Sequence, residues 1–122
     1  MATAKADGAM VPGELSPLTN RTELAGRLLE RGILRFTPAG VPVIEFRVAH
    51  MSEQIEAGIS RRVECELACV ALGQTALLLK ESSPGTGLTV GGFLAAKSLK
   101  QKMPVLHVTM IEFAEENLIK GF

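Results

Sequence analysis

Residues Gly92–Phe113 read GFLAAKSLKQKMPVLHVTMIEF, in which two apolar runs flank a short polar segment. The runs are Phe93–Ala96 and Val105–Ile111. Apolar and β-branched residues on either side of a turn-like centre are typical of two paired strands. The centre carries three lysines, and the first acidic residue of the stretch is Glu112. We therefore predict two strands joined by a cationic, anion-binding loop that contains Lys97, Lys100 and Lys102.

Three earlier segments alternate apolar and polar residues, which predicts strands that bury one face. They are Arg21–Leu28, Val43–His50 and Arg61–Cys69. The first segment could also be helical, because Leu, Glu, Arg and Ala are good helix formers. Gly26 in its middle favours a strand with a bend.

The connections carry turn or helix signals. The proline and glycine residues of Thr37–Pro42 predict a turn, and polar Ser52–Ser60 predicts a longer hairpin loop. Gly73–Lys80 has the composition of a short helix or a turn. The last two strands are Leu88–Leu99, which Gly91 and Gly92 would allow to coil, and Val105–Phe113. Five strands with a helix-like insert between the third and the fourth predict an all-β, five-stranded OB-fold barrel; a β-sandwich is the alternative.

Composition suits a single globular domain. The chain has 122 residues, 47% of them hydrophobic, and a formal net charge of zero. This hydrophobic composition indicates an oligomer interface. Because the net charge is zero, binding to nucleic acid would have to depend on local clusters of positive charge. We expect a disordered leader over residues 1–18, an OB-fold domain over 19–115 and a short tail over 116–122. No run approaches the roughly 18 to 20 apolar residues that span a bilayer, and no signal peptide is evident, so we expect a cytoplasmic chain.

Catalytic and metal-binding patterns are missing from the sequence. Asp7 is its only aspartate, so paired-carboxylate metal chemistry has little to build on. His50 and His107 fall on apolar strand faces, where a hydrogen-bonded barrel residue is the ordinary interpretation. Cys65 and Cys69 would lie roughly 13 Å apart in a strand, too far for a disulfide, and we expect both to be buried and inert. We predict no enzymatic activity and no cofactor.

The five aromatic residues are all phenylalanines. We predict that Phe46, Phe93 and Phe113 are core residues on inward registers. Phe36, at a strand end, is the candidate for stacking on a nucleobase. Arginines recur at every fourth position before it, and the last, Arg35, is the better candidate for a phosphate contact. For the other two, Arg27 and Arg31, an ion-paired surface and a DNA contact remain equal alternatives.

Four strings together carry a family resemblance. They are TNRTELAGRLLE (19–30), TPAGVPVIEFRVAH (37–50), RRVECELACVALG (61–73), and TVGGFLAAK with VLHVTMIEF (89–97 and 105–113). In this order they resemble the primosomal replication protein N (PriB) family, dimeric OB-fold relatives of the bacterial single-stranded-DNA-binding protein. The likeness covers about residues 19 to 115.

The resemblance implies a replication-restart accessory protein that binds single-stranded DNA and stabilises the helicase PriA, with DnaT as a further primosome partner. By position it assigns DNA contact to the loop lysines, Arg35 and Arg61. Where family members have stacking aromatics, this chain has Glu64 and Ile59, and its lysine loop is shorter, so we expect mainly electrostatic binding. The family pairs its first strand with that of a second copy, which makes the predicted dimer interface Arg21, Thr22, Glu23, Leu24, Ala25, Gly26, Arg27 and Leu28.

Two alternative functions remain open from the sequence. A protein–protein adaptor with weak or vestigial DNA binding would also fit zero net charge and the outward-facing Glu45, Glu64 and Glu66. A general single-stranded-DNA-binding protein is the other alternative. Its flexible acidic tip has no counterpart in the ending EENLIKGF, which favours the adaptor-like relative.

Overall fold

Five long strands, one two-residue strand and one helix make up the described part of the chain, residues 18–114 of a computed structural model. The leader up to residue 17 and the tail from residue 115 lie outside the described residues. The elements, in chain order, are β1 (Thr22–Arg31), β2 (Arg35–Phe36), β3 (Pro42–Glu56), β4 (Ile59–Leu72), α1 (Gln74–Leu79), β5 (Gly87–Ala96) and β6 (Pro104–Phe113).

The strands close into a barrel. β1 pairs antiparallel with β5 through its first half and with β3 through its second half. β3 pairs with β4, β4 runs parallel to β6, and β6 pairs with β5, so that the sheet returns to its first strand. The predicted five-stranded barrel with a short helix after its third long strand is confirmed. β2 adds a two-residue pairing at the start of β3.

Alternate residues of the long strands fill the barrel. Ile44, Phe46 and Val48 of β3 are almost completely buried, as the period-two pattern predicted. The other strands contribute in the same way, and two residues of α1, Ala76 and Leu79, join the same core. The helix is therefore an integral part of the core.

Two glycines permit close approaches between strands. A Cβ atom on Gly26 would lie 2.1 Å from the carbonyl oxygen of Ala49, and one on Gly92 would lie 1.9 Å from that of His107. Both distances are far shorter than any real Cβ contact. Only glycine lets the neighbouring backbone come so close, which explains both residues; the bends predicted at these glycines stay predictions.

The hairpin of β3 and β4 is longer than the sequence predicted. Pairing continues to Glu56 and Ile59, and only Ala57 and Gly58 form the turn. Both have positive φ angles, 55° and 79°, as in the type I′ turn of a two-residue hairpin. The predicted loop over Ser52–Ser60 is therefore wrong. Residues 51–64 form a two-stranded projection, called the arm below.

Three predictions of burial are wrong. Cys65 lies on the inward register, but at the base of the arm the barrel has no core left to cover it, and it is exposed. Phe113 pairs opposite the buried Leu88, yet it is the last residue of β6 and is exposed. Phe93 has the opposite parity to buried Leu88 and Val90, so its ring points outward.

Among residues 18–114, no helix has the length and apolar character required to cross a membrane.

Candidate nucleic-acid interface

A groove of about 570 Å³ crosses the outer face of the barrel. Its floor includes outward-facing residues of β3, β4 and β6, among them Arg47, Ala68 and His107. Arg31, at the end of β1, and Lys97, just after β5, also line it. In OB folds the corresponding face and the two loops beside it commonly bind oligonucleotides. The groove therefore occupies the position expected of a nucleic-acid site.

The loop between β5 and β6 brings one of the three predicted lysines to this groove. Lys97 lines it, and Lys100 and Lys102 are exposed further along the loop. The backbone N–H of Ser98 donates to the carbonyl oxygen of Gln101 at 3.2 Å, and the N–H of Gln101 donates to Ser98 Oγ at 3.0 Å. No carboxylate of residues 18–114 forms an ion pair with any of the three ammonium groups. Their charges are thus available to an anion.

Arg35 of β2 and Arg47 of β3 are held by carboxylates. Arg35 lies 2.8 Å from Glu45, and both side chains are about half exposed. Arg47 donates a hydrogen bond to Glu66, which, with the carboxylate charge, raises the pKa of this guanidinium above its ordinary value. Arg35 is not part of the groove lining, but its partner Glu45 is, and the sequence did not indicate this ion pair; its phosphate contact stays a prediction. A phosphate would have to compete with these carboxylates for the arginines.

The predicted contact Arg61 lies away from the groove lining, on the arm. It pairs with Glu56 at 3.1 Å, near the hairpin turn. On the other face of the arm, Arg62 pairs with Glu64 at 2.7 Å. Glu64 and Ile59 replace the aromatics implied by the resemblance, and both are exposed. The arm therefore presents ion pairs and isoleucine where stacking residues were implied.

Besides Phe113, two phenylalanines of the described residues expose their rings. Phe36, on β2, is 61% exposed, so its ring is accessible, and its stacking on a nucleobase stays a prediction. Phe93 was assigned to the core from its sequence, but it stacks on His107 with a centroid distance of 5.0 Å and an interplanar angle of 11°. The register of Leu88 and Val90 was the signal that could have placed Phe93 on the outside.

The first half of β1 has an unpaired edge among the described residues. Thr22–Arg27 pairs with β5 on one side, whereas β3 joins the opposite side only from Arg27 onward. Gly26 and Leu28 are buried within the barrel. Only the beginning of the predicted dimer interface, up to Leu24, thus lies on an open strand edge, because His50 contacts the carbonyl oxygen of Ala25.

The remaining polar candidates have structural partners. His50 Nδ1 lies 2.6 Å from the carbonyl oxygen of Ala25, so it must donate, and Nε2 lies 2.8 Å from Ser52 Oγ. The prediction of a hydrogen-bonded barrel histidine is confirmed for His50. Arg27 and Arg31 donate to the carbonyl oxygens of Gly85 and Ser82, at 3.2 and 2.7 Å. Both arginines thus form hydrogen bonds that hold the loop before β5.

Comparison with known proteins places this geometry in a family. A family model described as another single-strand binding protein family matches residues 20–110. The replication restart protein PriB of Bordetella pertussis is 51% identical over 89 residues, 73% of this chain and 83% of that protein. PriB of Nitrosomonas europaea is 35% identical over 102 residues, 81% of this chain and 94% of that protein.

Solved structures agree. The structure of PriB from Ralstonia solanacearum aligns with a TM-score of 0.71 at 34% identity, covering 80% of this chain and all of that one. The single-stranded DNA binding protein from Thermus aquaticus aligns at 24% identity with a TM-score of 0.64, covering 80% of this chain and 50% of that one, and shows the shared fold. The chain therefore belongs to the single-strand binding protein family, within its group of replication restart proteins PriB.

Proposed function

We propose that this protein binds single-stranded DNA as an accessory protein of the replication-restart primosome and stabilises the helicase PriA on DNA. It does so without catalysis, in the cytoplasm. The observation that carries the proposal is the lysine loop. Lys97 lines the groove on the face where OB folds bind oligonucleotides, and no carboxylate of the described chain neutralises it.

The mode of binding follows from the charges at the groove. Lys97, Lys100 and Lys102 contact phosphates from one side. Arg35 of β2, beside the exposed ring of Phe36, contacts a phosphate only when it exchanges its carboxylate partner Glu45 for it, so its contact is the weaker one. Cations along a groove bind a single strand without regard to sequence, because neutralised phosphates release counterions. Arg61, already paired with Glu56 on the arm, would serve as an outlying contact.

Substitution of the loop tests the proposal. The variant K97A/K100A/K102A should lose roughly three phosphate contacts, which would make the salt dependence of binding shallower by about 2 in log K against log salt. We expect its affinity for labelled oligo-dT to fall at least about tenfold at low salt. Lys80→Ala is the matched control, because Lys80 is an exposed lysine at the end of α1 and is not part of the groove lining. Equal affinities of the triple variant and the control would refute the role of the loop.

A homodimer built on the open edge of β1 forms part of the proposal. An exposed strand edge carries unpaired backbone groups, and pairing with a second copy would satisfy them symmetrically. Light scattering at micromolar concentration should give twice the 13.0 kDa of one chain. A species of 13.0 kDa alone would reject the dimer.

The arm supports a second candidate function, a protein–protein adaptor with weak DNA binding. Ile55 and Ile59 flank its turn and are 72% and 68% exposed, and both of its arginines are already in ion pairs. PriA and DnaT are the partners to test. For an adaptor, K97A/K100A would leave both the stimulation of PriA and the affinity for DNA nearly unchanged, whereas Ile55→Ser would reduce the stimulation. If the protein instead stabilises PriA through DNA, K97A/K100A should lower both the stimulation of PriA and the affinity for DNA, and Ile55→Ser should leave the stimulation unchanged.

A further inference from the structure

The chain lacks Trp and Tyr, and its sequence predicted one stacking aromatic, Phe36, and none on the outer face of β5 and β6. The structure nevertheless places one there. Phe93 of β5 is paired directly with His107 of β6, and the two rings stack at 5.0 Å with an angle of 11°. His107 lines the groove. The two stacked rings, called the Phe93–His107 unit, therefore lie at the edge of the groove, with His107 in its lining and Phe93 beside it on β5.

The unit is only partly covered. After stacking on His107, Phe93 remains 42% exposed. An exposed aromatic ring at a groove is surface that a flat apolar partner would cover favourably. The groove that His107 lines also carries the cations Arg47 and Lys97.

The spacing along β5 suits a nucleotide chain. Phe93 and Ala95 share the outward register of the strand, and Lys97 follows in the same parity one residue after the strand ends. At about 3.3 Å per residue, the backbone positions of Phe93 and Lys97 lie roughly 13 Å apart. One strand thus offers an aromatic surface and, a short distance on, a cation.

We propose that an unpaired nucleobase stacks on the Phe93–His107 unit, while Lys97 and its neighbours hold the adjacent phosphates. This inference rests on the proposed function and adds a base contact to a site otherwise described by charge. Stacking on an aromatic ring tolerates any sequence, because every base presents a π face. The unit would supply the stacking that Glu64 and Ile59 cannot supply on the arm.

The test compares labelled oligo-dT with an abasic oligonucleotide of the same length, which keeps the phosphates and lacks the bases. Wild-type protein should bind oligo-dT at least about fivefold more tightly than the abasic strand, the smallest effect expected of one stacked base. Phe93→Leu should reduce this ratio toward one and leave the affinity for the abasic strand unchanged. Phe93→Tyr keeps the ring, so it should retain the preference for oligo-dT over the abasic strand. That result would show that the site tolerates substitution.

Phe36→Leu tests the other candidate stacking ring, on β2, and Phe113→Leu is the control at an exposed phenylalanine outside the groove lining. The inference is overturned if wild type binds the two strands equally, or if Phe93→Leu keeps the preference. It is also overturned if only Phe36→Leu loses the preference, since the platform then lies on β2. If wild type binds oligo-dT and the abasic strand equally and this binding weakens with salt, only the stacking inference fails and the proposed function remains. If it binds neither strand, the stacking inference and the proposed function are both rejected.

Discussion

Two carboxylates beside the groove hold arginines that a phosphate would otherwise contact. Glu45 lies 2.8 Å from Arg35, and Glu66 forms a hydrogen-bonded ion pair with Arg47. Exposed ion pairs contribute little to stability, so their loss should not unfold the barrel. Their effect on DNA should be larger, because each carboxylate both repels phosphate and occupies its arginine.

The perturbation is the double variant E45Q/E66Q, which removes both charges and keeps the side-chain shapes. If each freed arginine, Arg35 and Arg47, gains one phosphate, the slope of log K against log salt should steepen by about 1.4. Between about 50 and about 200 mM salt, the affinity of the double variant should then fall about sevenfold more than that of wild type. Below that range the variant should bind more tightly than wild type. Anisotropy of labelled oligo-dT at four salt concentrations measures both effects.

Glu112→Gln provides the control for net charge. Glu112 is exposed on β6, opposite Thr89 and outside the groove lining, so its substitution changes the charge of the chain by one without freeing an arginine at the groove. It should leave the slope within error of wild type. A double variant whose slope matches both wild type and Glu112→Gln would refute the reasoning that these ion pairs restrain DNA binding.

Further predictions concern the fold and its thiols. Gly92→Ala should lower the free energy of unfolding in urea by about 1 to 3 kcal/mol or more, because its Cβ would meet a carbonyl oxygen at 1.9 Å, whereas Gly32→Ala, with 3.5 Å, should not cause such overpacking. Ala57→Asn should raise that free energy by about 1 kcal/mol or less, because asparagine tolerates the positive φ of 55° better than alanine. In native protein one thiol, Cys65, should react with iodoacetamide, and denaturation should expose the second; two reactive thiols without denaturant would contradict the burial of Cys69. Burial raises the pKa of Cys69 from 9.0 to about 12, so the folded state binds the extra proton and stability should decline as pH rises from 9.0 toward 12, a decline that Cys69→Ala should remove.

The sequence predicted the barrel because its periodicity is strong. The alternation from Ile44 to Val48 and the paired runs around the lysine loop correspond to β3, β5 and β6. Gly26 and Gly92 were informative because a glycine inside a strand pattern implies a bend or a close backbone approach. These signals depend on residues close together in the sequence, so they can be recognised without knowing which strands pair.

Three features of the structure were not predicted from the sequence, each for a different reason. A strand register shows which way Cys65 points, but not that the barrel core ends before it. Phe93 was assigned by its apolar character, although the parity of Val90 placed it outside. The hairpin turn was unrecognised because alanine at its first position is an unusual choice for two successive positive φ angles.

The site was predicted in part for the same reason. A loop with three lysines and no acid is visible in one dimension, and the loop lies beside the groove. The partners of Arg35 and Arg61 lie ten and five residues away, and only folding brings Glu45 and Glu56 against them. Charge clusters can be read from sequence, whereas their neutralisation by neighbours cannot.

The salt dependence of single-strand binding tests the central claim most directly. If three to five phosphates are neutralised at the groove, a titration of labelled oligo-dT should give a slope of roughly −2 to −3.5 in log K against log salt. A flat response, or binding that does not weaken between low and high salt, would contradict a site that holds DNA by its phosphates.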